Sequence, residues 1–258
     1  MTPAIQNKRL AALNRSQEFY GAPIGILLVD SAHYPINRPY IPGSVGNAST
    51  WSVPARYKTV RGLTFAHIVG SKTEDLTATV VQAAAELERE GARLITSNCG
   101  FMIRYQEAVR TAVDLPVLLS PLLLASFLLR MLPRDKILGI ITASGPLLAR
   151  PLLEAAGLPS NTERVAVVGL ERAPSFAGSF LTHTGDLDPA AIERETIEVA
   201  VGLVNDKPNI AMLLLECSDL PAYAAAVQRA VGIPVFDFTS LVEFFVSGLT
   251  RTAFMGLD

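Results

Sequence analysis

The chain has 258 residues, 50% apolar and 18% charged, with 22 basic against 24 acidic side chains and a net charge of −2. A composition this apolar excludes a disordered chain, and without a basic excess nucleic-acid binding is not expected. The length allows one large domain or two small ones around a proper core.

The first twenty residues contain no uninterrupted apolar run of the secretory kind. The longest uncharged, mostly apolar stretch, residues 115–129, has 15 residues and is broken by Pro116 and Pro121. About 20 residues are needed to span a bilayer. The expectation is a cytoplasmic protein with no membrane partner and two free thiols.

In chain order, residues 23–30 (PIGILLVD) read as a buried strand, and a second strand falls within residues 59–69. Residues 73–90 have helical periodicity, with acidic residues early and Gly91 as a stop. Residues 93–97 form a third strand followed by a helix to Val113, and residues 115–119 a fourth; residues 120–132 make an apolar helix ended by Pro133. The order then restarts. Strands are expected at 136–142, 164–169, 209–215 and 234–238, with helices at 147–156, 189–204, 221–231 and 240–248. Continuous apolar strands alternating with helices imply parallel sheets covered on both faces, an α/β fold.

The restart is an internal repeat. A shift of 118 lays residues 94–117 on residues 212–235 without a gap, and eight of the 24 positions are identical. They include Cys99/Cys217, Tyr105/Tyr223, Val109/Val227 and Pro116/Pro234. GIIT at 139–142 similarly echoes GILL at 25–28. A duplicated scaffold accounts for the Ala, Val and Pro matches, but it does not require a cysteine at both strand ends.

Each cysteine follows a predicted strand and precedes a predicted helix. Ligands of open α/β sheets bind at the carboxyl ends of strands, where free backbone N–H groups and the helix dipole favour a thiolate. Two repeats facing each other place the thiols on opposite walls of one cleft. One thiolate and one thiol then serve as base and acid at a carbon beside a carboxylate. Taken singly, each cysteine reads equally as a small buried hydrophobe.

These residues resemble the aspartate/glutamate racemase superfamily, which includes cofactor-independent amino-acid racemases, hydantoin racemases, arylmalonate decarboxylases and maleate cis-trans isomerases. Asp30-Ser31 ends the first strand where racemases carry Asp-Ser-Gly, with Ala32 in place of the glycine. Cys99 lies in TSNCG, residues 139–144 (GIITAS) resemble the strand that opens the second half, and Cys217-Ser218-Asp219 resembles a Cys-Thr-His/Glu motif. Gly100-Phe101 departs from the common Asn-Thr, and Asp219 from His or Glu.

The resemblance implies two similar parallel-sheet domains related by a pseudo-twofold, with the active site in the cleft between them. The first comprises residues 1–119 plus 239–258 and the second residues 120–238, the helices at 120–132 and 240–248 each crossing to the other domain. It implies a cofactor-independent racemase or epimerase acting on an aspartate- or glutamate-like amino acid or related small carboxylate. Cys99 and Cys217 are its acid–base pair. Asp30, Ser31, Asn98, Gly100, Thr142, Ser144, Ser218 and Asp219 are expected around the substrate. A maleate-type isomerase, a hydantoin racemase and a non-catalytic small-molecule binding protein stay open beside it, as does homo-oligomerisation.

The long loop at 31–57 holds His33, Arg38, Tyr40, Trp51 and Arg56, which either contact the ligand or belong to an ordinary surface loop. No metal is expected, since His33, His67 and His183 are scattered and no Cys or His pair has ligand spacing. His67 is expected in the core. Neither a G-x-G-x-x-G after the first strand nor a P-loop occurs, and no lysine stands in a strand-end motif, so no nucleotide or pyridoxal cofactor is expected.

Overall fold

The computed structural model describes residues 17–31, 38–69, 71–158, 163–249, 251 and 253. Ala32 and His33 lie outside the described residues. Eight strands form two four-stranded parallel sheets. The first contains β1 (Ile24–Val29), β2 (Ala55–Val60), β3 (Leu94–Ser97) and β4 (Val117–Leu118) in the order β2-β1-β3-β4. The second contains β5 (Ile137–Thr142), β6 (Val165–Gly169), β7 (Ile210–Leu215) and β8 (Val235–Phe236) in the order β6-β5-β7-β8. The numbered helices are α1 (Thr77–Arg89), α2 (Gln106–Ala112), α3 (Ala125–Met131), α4 (Arg150–Ala155), α5 (Pro189–Asp206), α6 (Ala224–Val231) and α7 (Phe238–Leu249). The fold is α/β.

The repeat is reproduced bond by bond. Ile95 N–H donates to Pro116 C=O, and Leu213 N–H to Pro234 C=O. Asn98 N–H donates to Leu27 C=O, and Glu216 N–H to Ile141 C=O. Met102 N–H donates back to Cys99 C=O, as Leu220 N–H does to Cys217 C=O. The repeated prolines thus sit where their carbonyl, and no N–H, is used. The strand registers pair Gly25 with Ile95 and Gly139 with Leu213, so the two glycines occupy one site of the repeat. A Cβ at Gly25 would lie 3.2 Å from Leu87 of α1, and one at Gly139 3.2 Å from Leu203 of α5. Glycine lets each covering helix settle closely on its central strand.

β1 alternates faces as a buried parallel strand must. Leu27 joins the large core that runs through both sheets, whereas Ile24 and Ile26 pack with Leu94, Val45, Trp51, Phe238, Val242 and Val246. The last three residues belong to α7. The final helix therefore covers the first sheet, although it follows the last strand of the second. A 3-10 turn (Pro121–Leu124) and α3 follow β4 and contact β7 and β5 respectively. Asp237 begins α7, its carboxylate accepting from Thr239 and Ser240 N–H.

Three expectations shift. The second strand runs Ala55–Val60, beginning inside the stretch read as loop and ending at the start of the expected range, where a turn at Gly62 (φ +80) stops it. Residues 65–68 form a helical turn opened by a Thr64/His67 capping box, so the buried His67 is a cap. A turn at Pro174–Phe176 and a π-helical turn at Ala177–Leu181 follow β6, where no element was expected. Among the described residues no helix is long and apolar enough to cross a membrane.

Phe238 is fully buried and Phe244 of the same helix is 76% exposed. Phe238→Ala should cost about 3–5 kcal/mol through the cavity it leaves, and Phe244→Ala within about 0.5 kcal/mol of nothing. Urea unfolding of the two variants checks that α7 anchors the first sheet.

Candidate functional site

The site lies at the carboxyl ends of the sheets. Beyond β3 the chain enters a 3-10 turn (Gly100–Tyr105) and beyond β7 a similar one (Leu220–Tyr223). Cys99 and Cys217 stand immediately before these turns as half-buried free thiols. Backbone N–H groups of Phe101 and Met102 point at the Cys99 sulfur, and that of Asp219 at the Cys217 sulfur. Such donors favour a thiolate, but burial outweighs them. Burial, aided by the carboxylates of Glu216 and Asp219, pushes the Cys99 thiol far above its ordinary value. Burial, Asp219, Glu216 and Cys99 do the same to Cys217. The two thiols thus lie within each other's electrostatic reach, and both are held toward the protonated form.

The two turns touch. Ser218 Oγ donates to Asn98 C=O at 2.5 Å. A Cβ at Gly100 would lie 2.4 Å from Glu216 C=O and 2.0 Å from its carboxyl oxygen, so only glycine fits there. Asn98 and Glu216 are equivalent in the repeat but are used differently. Asn98 Oδ1 accepts from Val29 N–H at 2.8 Å, and its Nδ2 donates to Tyr40 Oη at 2.9 Å. Glu216, 1% exposed, accepts from Thr142 Oγ1 at 2.7 Å through Oε2, while Oε1 has no hydrogen bond. Burial pushes its carboxyl up to about 7, against the Thr142 hydrogen bond.

A cavity of about 320 Å³ opens beside Cys99. Its walls include Ser31, Asn98 and Asp219, together with Arg38, Tyr40, Phe65, Phe180 and His183. Of the expected substrate residues, Ser31, Asn98 and Asp219 reach this cavity, and Cys99 does so of the two thiols. The others are not among its lining residues. Asp30 accepts from Gly62 N–H at 2.8 Å. Gly100 and Ser218 form the contact between the turns, Thr142 holds Glu216, and Ser144 is a buried residue whose C=O accepts from Leu148 N–H.

The long loop brings the cavity its charge. Gly43 (φ +99) lies so close to the second thiol turn that a Cβ would be 2.4 Å from Ala222 Cα, and Val45 N–H donates to Ser218 C=O at 3.0 Å. From this anchor Arg38 reaches across, donating to Ser179 C=O with its guanidinium 5.4 Å from the Phe180 ring centre. Trp51 instead packs in the core, donating to Val45 C=O, and Arg56 pairs with Glu90 on the edge strand. Asp219 is pushed up to about 6 by burial, against the Ser44 hydroxyl, the charge of Arg38 and the nearby Ser218 side chain. Burial and Arg38 hold His183 below its ordinary value. Among the described residues no group of three or more His, Cys, Asp or Glu side chains could hold a metal ion.

Sequence reasoning missed Glu216, Phe65, Phe180 and His183. The first had a signal, since it stands opposite Asn98 in the 118-residue register. The last two follow from a π-turn that has no periodicity to read.

No family model matches the sequence. Among solved structures, allantoin racemase from Klebsiella pneumoniae superposes with a TM-score of 0.57 at 14% identity, covering 90% of each chain. Glutamate racemase from Bacillus anthracis gives 0.56 at 13% identity, covering 88% of this chain and 81% of that one. Unliganded arylmalonate decarboxylase gives 0.53 at 17% identity over 91% and 96%. This chain shares the fold of these racemase and decarboxylase structures.

The curated relatives carry a different activity in their names. A dimethylsulfoniopropionate lyase of Durusdinium sp. clade D is 26% identical over 92% of this chain and 78% of its own length. Dimethylsulfoniopropionate lyase 5 of Emiliania huxleyi (strain CCMP1516) is 28% identical over 91% of this chain, and lyase 2 of Emiliania huxleyi 30% identical over 75%. The chain spans 47% and 64% of those two proteins. These relatives overturn the expected racemase or epimerase, and with it the isomerase class: they are lyases by name. The physical reason is that paired thiols at strand ends specify no one reaction at a carbon beside a carboxylate. The fate of the carbon once its proton is removed depends on the substrate, which the thiol pattern does not encode.

Glu216 gives a pH test of the buried arrangement. Its folded-state carboxyl holds a proton more tightly than the unfolded chain does, so its contribution to stability is present below about pH 4.5 and is lost as pH rises through about 7. Glu216→Gln should remove that loss, on the order of 2–3 kcal/mol. Urea unfolding at pH 5 and pH 8 should show a smaller drop for the variant than for the wild type.

Proposed function

We propose that the protein is a lyase that eliminates dimethyl sulfide from dimethylsulfoniopropionate or a close β-sulfonio carboxylate. The observation that carries this reading is similarity to proteins of that name over up to 92% of the chain. It is supported by the cavity, in which a thiol stands beside a single guanidinium, Arg38.

The proposed reaction needs one base. The Cys99 thiolate takes a proton from the carbon next to the carboxylate. The C–H electron pair becomes the new C=C bond, the C–S bond breaks, and its pair stays on sulfur. Dimethyl sulfide leaves neutral, acrylate remains, and the Cys99 thiol returns its proton to solvent. The hard point is the first step, because charge develops beside an existing carboxylate. Arg38 answers it by neutralising the carboxylate through a charge-assisted hydrogen bond. The leaving sulfide requires no proton, so the second thiol has no obligatory acid role. Cys217, which does not line the cavity, is assigned no contact with the substrate.

Thiols that burial holds toward protonation fit this substrate. A sulfonium brought next to Cys99 opposes the influence of Glu216 and Asp219 and draws the thiol toward ionisation. A dicarboxylate would do the reverse.

Cys99→Ser should lower kcat/KM for dimethyl sulfide release by about 10²–10⁴. Cys217→Ser should retain a much larger share. Headspace sulfide and acrylate are measured together, since elimination yields them in equal amounts. Release at the wild-type rate by the Cys99 variant would remove the assigned base.

A further inference from the structure

Dimethylsulfoniopropionate is one member of a class, the small zwitterions with a carboxylate at one end and a methylated onium at the other. We propose that the cavity recognises that class as a head-to-tail pair, with Arg38 taking the carboxylate and Asp219, flanked by Tyr40, Phe65 and Phe180, taking the onium group. The proposal rests on the lyase reading for its chemistry, but its binding claim is independent of turnover.

The cavity is itself zwitterionic. Among its described lining residues Arg38 and Asp219 are the charged ones at neutral pH, because burial and Arg38 keep His183 in its neutral form. Arg38 is already oriented by the Ser179 carbonyl and the Phe180 face, and a guanidinium presents a planar fork suited to a carboxylate. Asp219 has the Ser44 hydroxyl and the Arg38 charge beside it, and what it brings to the cavity is negative charge. That is what a methylated onium can use, since it has no N–H or S–H to donate. Such cations are held by nearby negative charge and by aromatic faces. Phe65, Phe180 and Tyr40 supply those faces, and the Tyr40 ring is fixed by the Asn98 amide. An amino acid with a second carboxylate would set two anions beside each other at Asp219, a like-charge pairing that interfaces avoid.

The test uses two unreactive probes of one shape. 3-(Trimethylammonio)propanoate carries the cation, and 4,4-dimethylpentanoate replaces its nitrogen with carbon. Binding is measured by titration calorimetry at pH 8, where Asp219 is ionised, on the wild type, Asp219→Asn and Arg38→Gln, each checked by circular dichroism. The wild type should prefer the cationic probe by about tenfold or more. Asp219→Asn should shrink that preference to about threefold or less, while Arg38→Gln weakens both probes by a similar factor. Equal binding of the two probes by the wild type overturns the proposal without any variant, as does binding of neither. A loss in Asp219→Asn that is equal for both probes also overturns it. If the cationic probe is preferred but dimethylsulfoniopropionate releases no sulfide, the lyase reading falls and the recognition stands.

Discussion

The contact on which this molecule turns is between two loops that each follow a third strand. Gly100 lies against the carbonyl and carboxyl of Glu216, and the Ser218 hydroxyl closes on the Asn98 carbonyl. A side chain at position 100 would push the two turns apart. With glycine there, two halves that are otherwise separate sheets meet at the ends of their central strands, and both sulfurs come under the influence of one set of carboxylates. The exchange of final helices serves the same end. A helix that follows one sheet and covers the other ties the halves together away from the cleft, and the cleft contact can remain small and polar.

Electrostatics then decides what the cleft accepts. Two buried carboxyls stand beside two thiols, and burial keeps all four groups inclined toward their neutral forms. An anion entering this space works against thiolate formation. A cation works for it, and on the proposed reading the substrate itself supplies that cation. The catalytic base is then formed by binding, since the thiolate is the reactive form and burial alone opposes it.

Much of the fold was legible because the chain states it twice. The gapless 118-residue register named the third strands, both thiol turns and the prolines whose carbonyls join the ladders. The start of the strand at Ala55–Val60 was hidden because its sequence, ARYKTV, is an edge strand whose charged residues pair with Glu86 of α1 and with Glu90, which caps that helix. Hydrophobic patterning detects buried strands and passes over edges that are covered by ion pairs. The π-turn that carries Phe180 has no sequence period at all. Arg38 and Tyr40 were visible only as members of a long polar loop, because their place depends on Gly43 docking against Ala222 at the far thiol turn, a contact no local pattern encodes.

The repeat is strict in the core and broken in the cleft, and the proposed chemistry draws on the break. Val109 and Val227 are both fully buried, and the strand-to-turn hydrogen bonds recur pair for pair. Asn98 and Glu216 share one backbone position and one backbone bond, yet one orders a tyrosine at the cavity wall and the other carries a buried, partly unbonded carboxyl behind it. Phe101 and Met102 N–H groups point at one sulfur and Asp219 N–H at the other. A reaction that needs matched groups on two faces of a carbon would favour preserving the symmetry of the duplicated turns. An elimination needs a base on one face and a leaving group that departs unaided, so it tolerates one wall becoming the reacting surface and the other its electrostatic backing. The cavity beside Cys99, with its guanidinium and its carboxylate drawn from different halves, has the asymmetry that such a reaction permits.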